Sequence, residues 1–297
     1  MARPKDTPPL ASLEEAITVL FCLIDDAYRI LNPAANGRYA SLKKLSDSEV
    51  LTMALLQQLR GVESERSFLR DAQRFFAHLF PGVVGLWPSS LHRRIRKLRR
   101  FLEPLRRAVL AELAGDPETL VVDSTLLAVL HPRQVEQSAG LDGAAWVVWG
   151  SFAVYGVKLH LLCSTNRVPL SYELTAANVA DVLLVRELLR GADLEEDGVV
   201  RRLFGDLAYR SGPLGEQLAE AGVLLATKRA DRRPQVRQQV EVCFAALKRV
   251  FGMGETLATT LVGLVARIAA KVCAYTYGLY VNRLLGRPQG CIKELWA

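Results

Sequence analysis

Residues 118–125 read Glu-Thr-Leu-Val-Val-Asp-Ser-Thr. Thr119 to Val122 is a short, apolar, partly β-branched run, and it ends on a carboxylate followed by two hydroxyls. A run of that kind bounded by turn formers reads as a buried strand. An acidic residue at the exit of a buried strand stands where α/β sheets commonly build their sites. The same residues also fit a plainer role, in which Asp123 or Ser124 caps the next turn.

Working outward, the chain changes texture at this point. Upstream, Leu13 to Ile30 has apolar residues at helical spacing, and Ser46 with Glu49 three residues on is a capping-box pattern that opens a second helix ending near Gly61. A third helix is expected over Glu65 to Phe76. The Pro-Gly pair at 81–82 and Pro88 punctuate a loop, and a basic helix is expected to begin near Ser89 or Ser90. Downstream, strand-like runs recur at Val157 to Leu162, Val168 to Leu174, Val199 to Phe204 and Val223 to Ala226. Helical stretches lie between the later ones, at Val179 to Leu189 and Pro213 to Glu220, and a final pair covers Pro234 to Val250 and Leu261 to Leu285. Strands first, then strands alternating with helices, predict an α/β fold with a mixed sheet flanked by helices. The expected division is an all-helical N-terminal domain over 1–112 and the sheet domain with its C-terminal helices over 113–297.

The 297 residues are half apolar, which is enough for a large core. The formal charge of +7 favours a polyanionic partner. Five widely spaced cysteines without a C-x-x-C argue against a disulfide framework or a zinc ribbon, and fit a reducing cytoplasm. The first sixteen residues have no apolar core of signal-peptide type. The most apolar long stretch, Leu257 to Val281, carries Arg267 and Lys271, so a buried helix is expected there and no membrane partner.

Asp206 follows a second strand-like run, Leu203-Phe204-Gly205, and the glycine before it suits a close backbone approach. If the two strands are neighbours, Asp123 and Asp206 converge, and converging carboxylates repel unless a cation sits between them. Glu241 lies on the helix from Pro234, with Arg237 four residues before it and Lys248 seven after, along one helix face. An ordinary Arg–Glu pair on a solvated face explains that spacing equally well. Taken together, three carboxylates are hard oxygen ligands suited to Mg²⁺ or Mn²⁺. Two such ions would clamp the attacking and leaving oxygens of an in-line phosphoryl transfer.

These residues carry a family resemblance. Val121-Val122-Asp123-Ser124, Tyr155-Gly156-Val157-Lys158-Leu159-His160 with Thr175 to Asp181, Gly205-Asp206-Leu207-Ala208-Tyr209, and the trio Arg237, Glu241 and Lys248 occur in this order. The chain resembles bacterial insertion-sequence transposases of the DDE class with an RNase H-like catalytic domain, over residues 118 to 285. Leu45 to Leu51 and Leu91 to Arg94 are similar to one branch of the family.

The resemblance implies that Asp123, Asp206 and Glu241 are catalytic and hold two Mg²⁺ or Mn²⁺ ions. Arg237 and Lys248 would contact the DNA backbone near the scissile phosphate. Lys158 and His160 share one strand face and would lie behind the site or in the core. Glu173, Asp181 and Glu216 lack the matching context, and Asp181 reads as a helix start. The partners implied are double-stranded DNA, as terminal inverted repeats and target, and a second copy of the chain. Two departures touch end handling: Pro234 stands where relatives carry a tyrosine, and the connection Glu136 to Gly150 has two tryptophans and no basic residue.

The segment after His92 holds six Arg and Lys within eight residues: Arg93, Arg94, Arg96, Lys97, Arg99 and Arg100. Ile95, Leu98 and Leu102 mark its buried face. A helix this basic and free of acids fits phosphate contact, and a solvated surface is the competing reading. Two other functions remain open from sequence: an RNase H-like nuclease that hydrolyses without joining, and a DNA-binding protein whose catalytic site has decayed.

Overall fold

The computed structural model describes residues 12–33, 43–113, 115, 117–130, 135, 140–194, 199–227, 234–254, 258 and 260–296. The first eleven residues, and 136–139 of the tryptophan-containing connection, lie outside them. The chain divides into two compact units, Met1–Ala108 with Cys273–Ala297, and Val109–Val272.

The first unit is helical: α1 Leu13–Leu31, α2 Asp47–Leu59, α3 Glu65–Phe75, α4 Pro88–Leu98 and the start of α5 Leu102–Leu113. Side chains set where these helices begin. Ser12 caps α1, Ser46 and Glu49 form the expected capping box on α2, and Ser64 caps α3. The basic helix starts at Pro88 rather than at a serine, because a proline at the first helical position forgoes only an N–H that would be unpaired anyway. Ile17, Leu20, Val50, Leu55, Phe68 and Leu105 are fully or almost fully buried. The end of α9 (Leu261–Leu284) and the short α10 (Ile292–Trp296) belong to this unit. The Tyr277 hydroxyl donates to the Leu105 carbonyl at 3.1 Å, and Arg60 donates to the Trp296 carbonyl at 3.1 Å.

The second unit is built on β1 Thr119–Leu130, β2 Ala145–Trp149, β3 Phe152–Ser164, β4 Pro169–Ala176, β5 Arg202–Phe204 and β6 Leu224–Ala226. Its helices are α6 Val185–Gly191, α7 Gly212–Glu220, α8 Pro234–Arg249 and most of α9. β3 runs antiparallel to β1, β2 and β4, while β5 and β6 run parallel to β1. Omitting β2, the order is β4-β3-β1-β5-β6. Three antiparallel strands followed by two parallel ones form the RNase H-like mixed sheet that the resemblance implies. α6 packs on β3 and β4, and α8 packs on β1 and β3.

Several strands differ from the sequence expectation: β3 begins at Phe152 rather than Val157, and β5 at Arg202 rather than Val199. β1 continues seven residues past Asp123, because the thirteen-residue β3 supplies it with an antiparallel partner from Leu120 to Leu130. Asp123 is therefore inside a ladder, opposite Leu161, and not at a strand exit. β2 was not anticipated; it pairs with the first five residues of β3.

Among the described residues one helix, α9, is long and apolar enough to span a membrane, but over half of its most apolar window (56%) is buried in the protein. Its buried Lys271 donates to the Phe251 carbonyl, as a core helix with a satisfied cation would.

Candidate active site

β1 and β5 pair only over Thr119–Val121 and Arg202–Phe204. Beyond them β5 ends, and Gly205 and Asp206 lead into the helical turn Leu207–Tyr209. Gly205 allows this turn, since a Cβ there would lie 3.1 Å from the Tyr209 ring. Asp206 caps the turn by accepting from the Ala208 amide at 2.8 Å. On β1, the Asp123 carboxylate accepts from the Ser124 amide at 2.9 Å.

Glu241 is on α8. Val240, Cys243, Phe244 and Leu247 are buried on that helix, while the Glu241 side chain is 60% exposed and lies 3.7 Å from Arg237. Lys248 is exposed two turns further on, and partial desolvation of its ammonium by the surrounding protein lowers its pKa.

The three carboxylates share one electrostatic neighbourhood. Asp123 is raised to about pKa 6, first by burial and then by the charges of Asp206 and Glu241, against the pull of the Ser124 amide and Arg237. Each acid nevertheless makes a local contact of its own. Among the described residues no three of His, Cys, Asp or Glu stand at metal-holding spacing. The donor chemistry fits a hard divalent cation: all three groups offer oxygen, and the charges of Asp206 and Glu241 add to the burial that raises the Asp123 pKa. Glu241 is exposed and joined to Arg237 only at 3.7 Å, so its carboxylate has room to turn.

Lys158 and His160 lie on the other sheet face, since Ser124 pairs with His160 and consecutive strand residues alternate. There Lys158 Nζ lies 2.9 Å from Asp181 Oδ1 and donates to the Val179 carbonyl at 2.8 Å. His160 is fully buried, with Nε2 2.9 Å from Thr175 Oγ1 and Nδ1 3.6 Å from Asp181. Burial lowers its pKa to about 4, with the Asp181 charge opposing. Asp181 does open a helical turn, Asp181–Leu184, but its carboxylate is turned to Ser124, whose hydroxyl donates to it at 2.9 Å. Sequence reading missed this role, because only the β1–β3 register brings Ser124 beside Lys158 and His160. Tyr209 was missed as well; it is fully buried next to these groups, and burial, Asp181, Asp123 and Asp206 all raise its pKa.

In the helical unit, Arg93, Arg96, Lys97, Arg99 and Arg100 are exposed. Arg94 is different: it donates at 2.6 Å to both the Leu45 carbonyl and Asp47 Oδ1. Burial would raise the pKa of Asp47, but hydrogen bonds from Lys43 and Arg94 outweigh it and hold the carboxyl below its usual range. A second basic row escaped the sequence reading. Arg66, Arg70 and Arg74 are exposed at four-residue spacing on α3, which packs against α4. Helical spacing alone could have shown it.

No curated protein matches the sequence. A solved structure, described as a pre-cleavage Mos1 transpososome, is similar at 10% identity over 94% of this chain and 99% of that one, with a TM-score of 0.26. Residues 114–277, more than half of the chain, match the family described as Transposase DDE domain. The chain belongs to the DDE-class transposases.

Proposed function

We propose that the chain cuts DNA at the ends of an insertion sequence and joins the freed 3′-hydroxyl to target DNA. Each step is an in-line attack on a phosphodiester, first by water and then by that hydroxyl. Asp123, Asp206 and Glu241 are the proposed catalytic residues and the ligands of two Mg²⁺ or Mn²⁺ ions, which when bound would withdraw charge from the attacking and leaving oxygens. Asp123 is the inner ligand, its carboxylate oriented by the Ser124 amide. Asp206 is oriented by the Ala208 amide. Glu241 closes the set by turning away from Arg237. Arg237 then offers its fork of donors, and Lys248 a point charge, to the phosphates beside the scissile bond.

The observation that most supports this reading is the parallel β1–β5 pairing, which sets Asp123 and Asp206, 83 residues apart in sequence, two positions beyond one rung, with Glu241 on the helix that packs on β1. The partner is double-stranded DNA, held in part through phosphate contacts by the exposed residues of α4 and by Arg66, Arg70 and Arg74 of α3. Joining two ends calls for two copies of the chain, in a bacterial cytoplasm.

The test is a strand-transfer assay with pre-cleaved ends and Mn²⁺. The expected result is joining by the wild type, with Asp206→Asn and Glu241→Gln slower by ~10²-fold or more. Hydrolysis without joining would make the chain a nuclease. DNA binding with no metal-dependent cleavage would make it a decayed relative.

A further inference from the structure

The mechanism leaves one partly buried polar cluster, centred on His160, without a task. Ser124, Lys158, His160, Thr175 and Asp181 meet on the sheet face away from Asp123, with Tyr209 beside them. One of its atoms, His160 Nδ1, is buried without a hydrogen-bond partner, and the buried Tyr209 hydroxyl lies toward Ser124. A partly buried Asp–Lys pair beside such an atom is a poor way to stabilise a sheet. Apolar side chains of similar volume avoid the desolvation cost of every group in it.

Ser124 connects it to the active site. Its hydroxyl donates to Asp181 Oδ1 at 2.9 Å, and its amide donates to Asp123 Oδ1 at 2.9 Å. β5 leaves β1 after Val121, so no strand of the sheet steadies the Asp123–Ser124 peptide on that edge. The hydroxyl anchor does so instead. Lys158, braced by the Val179 carbonyl, holds the same Asp181 oxygen, Oδ1, at 2.9 Å.

We infer that Asp181 is a positioning residue for Asp123, acting through Ser124, with Lys158 as its anchor. This rests on the proposal that Asp123 is a metal ligand. Groups that orient a ligand from behind are worth about 10–100-fold in metal affinity.

The experiment is a Mn²⁺ titration of the full chain, reading free Mn²⁺ by electron paramagnetic resonance, beside thermal melts of each variant. Asp123→Asn is expected to abolish the site. Ser124→Ala and Asp181→Asn are each expected to weaken Mn²⁺ binding by about 10–100-fold, and Ser124→Thr, which keeps the hydroxyl, to restore it. The double variant Ser124→Ala/Asp181→Asn should be no weaker than Ser124→Ala alone, because Asp181 acts through that hydroxyl. If Asp123→Asn loses Mn²⁺ while Ser124→Ala and Asp181→Asn bind it as the wild type does, the positioning role is wrong and the ligand assignment stands. A lower melting temperature with unchanged Mn²⁺ affinity has the same meaning. If Asp123→Asn binds Mn²⁺ normally, the ligand assignment fails and takes this inference with it.

Discussion

Val121 and Phe204 are the last paired residues of the parallel β1–β5 ladder, and each is followed two positions later by an aspartate. Equal offsets from one rung of a parallel pair set Asp123 and Asp206 at the same end of that pair, and the Asp206 charge is among the causes that raise the Asp123 pKa. Two acids far apart in sequence thereby act on each other.

The first prediction concerns Asp123. Its folded pKa of about 6 is above the ordinary 3.8, so the native state binds the extra proton between those values. Without metal, its contribution to stability is full below pH 3.8 and is lost as pH rises to 6, on the order of 3 kcal/mol. Asp123→Asn should therefore be more stable than the wild type at pH 7.5 in EDTA, with the gap closing toward pH 4. Urea melts across that range would measure it, and a variant less stable at pH 7.5 would contradict the burial account.

His160 works in the opposite direction over nearly the same range. Its folded pKa of about 4 lies below the ordinary 6.5, so the unfolded chain binds more protons in between. Stability from neutral His160 is full above pH 6.5 and is lost as pH falls toward 4, again on the order of 3 kcal/mol. The two slopes offset each other in the wild type, so removing Asp123 should expose the histidine slope. The ring carbon shift in NMR should report a neutral imidazole at pH 5.5. A charged ring there would mean that Asp181 outweighs burial.

The basic helix separates binding from folding. Arg96, Lys97 and Arg100 are exposed, whereas Arg94 donates to Leu45 and Asp47. Changing the first three to alanine should lower the slope of log affinity against log salt by about 3, at roughly 0.9 per phosphate contact. Arg94→Ala should leave that slope unchanged and cost about 1–3 kcal/mol of stability, the penalty for stranding its buried partners. Fluorescence anisotropy on duplex DNA, with a parallel melt, distinguishes the two effects.

Gly156 pairs with Ala128 where the β1–β3 register shifts, and a Cβ on it would overlap the Leu127 carbonyl. Backbone cannot swing aside as a side chain can, so Gly156→Ala should cost about 1–3 kcal/mol or more. Gly215→Ala in α7, where the added methyl meets open space, should instead gain about 0.5–1 kcal/mol. Equal effects at the two sites would show that conformational entropy, and not overlap, governs both.

Much of this protein was fixed locally. The serine caps of α2 and α3, the apolar runs of β1, β3 and β4, and the helical spacing of Arg237, Glu241 and Lys248 are near-neighbour patterns. Hydrogen-bond geometry and side-chain periodicity dictate these without reference to the rest of the chain. The length of β1 was not local: residues 123–130 are strand because β3 lies opposite, and Asp123 moved from a strand exit into a ladder as a result. Nor could sequence show that Asp181 faces Ser124, that Arg94 is taken up by Asp47, or that burial raises the pKa of Asp123. Those facts depend on which atoms meet across long sequence separations and on how much water they exclude, and both follow only from the assembled sheet and helices.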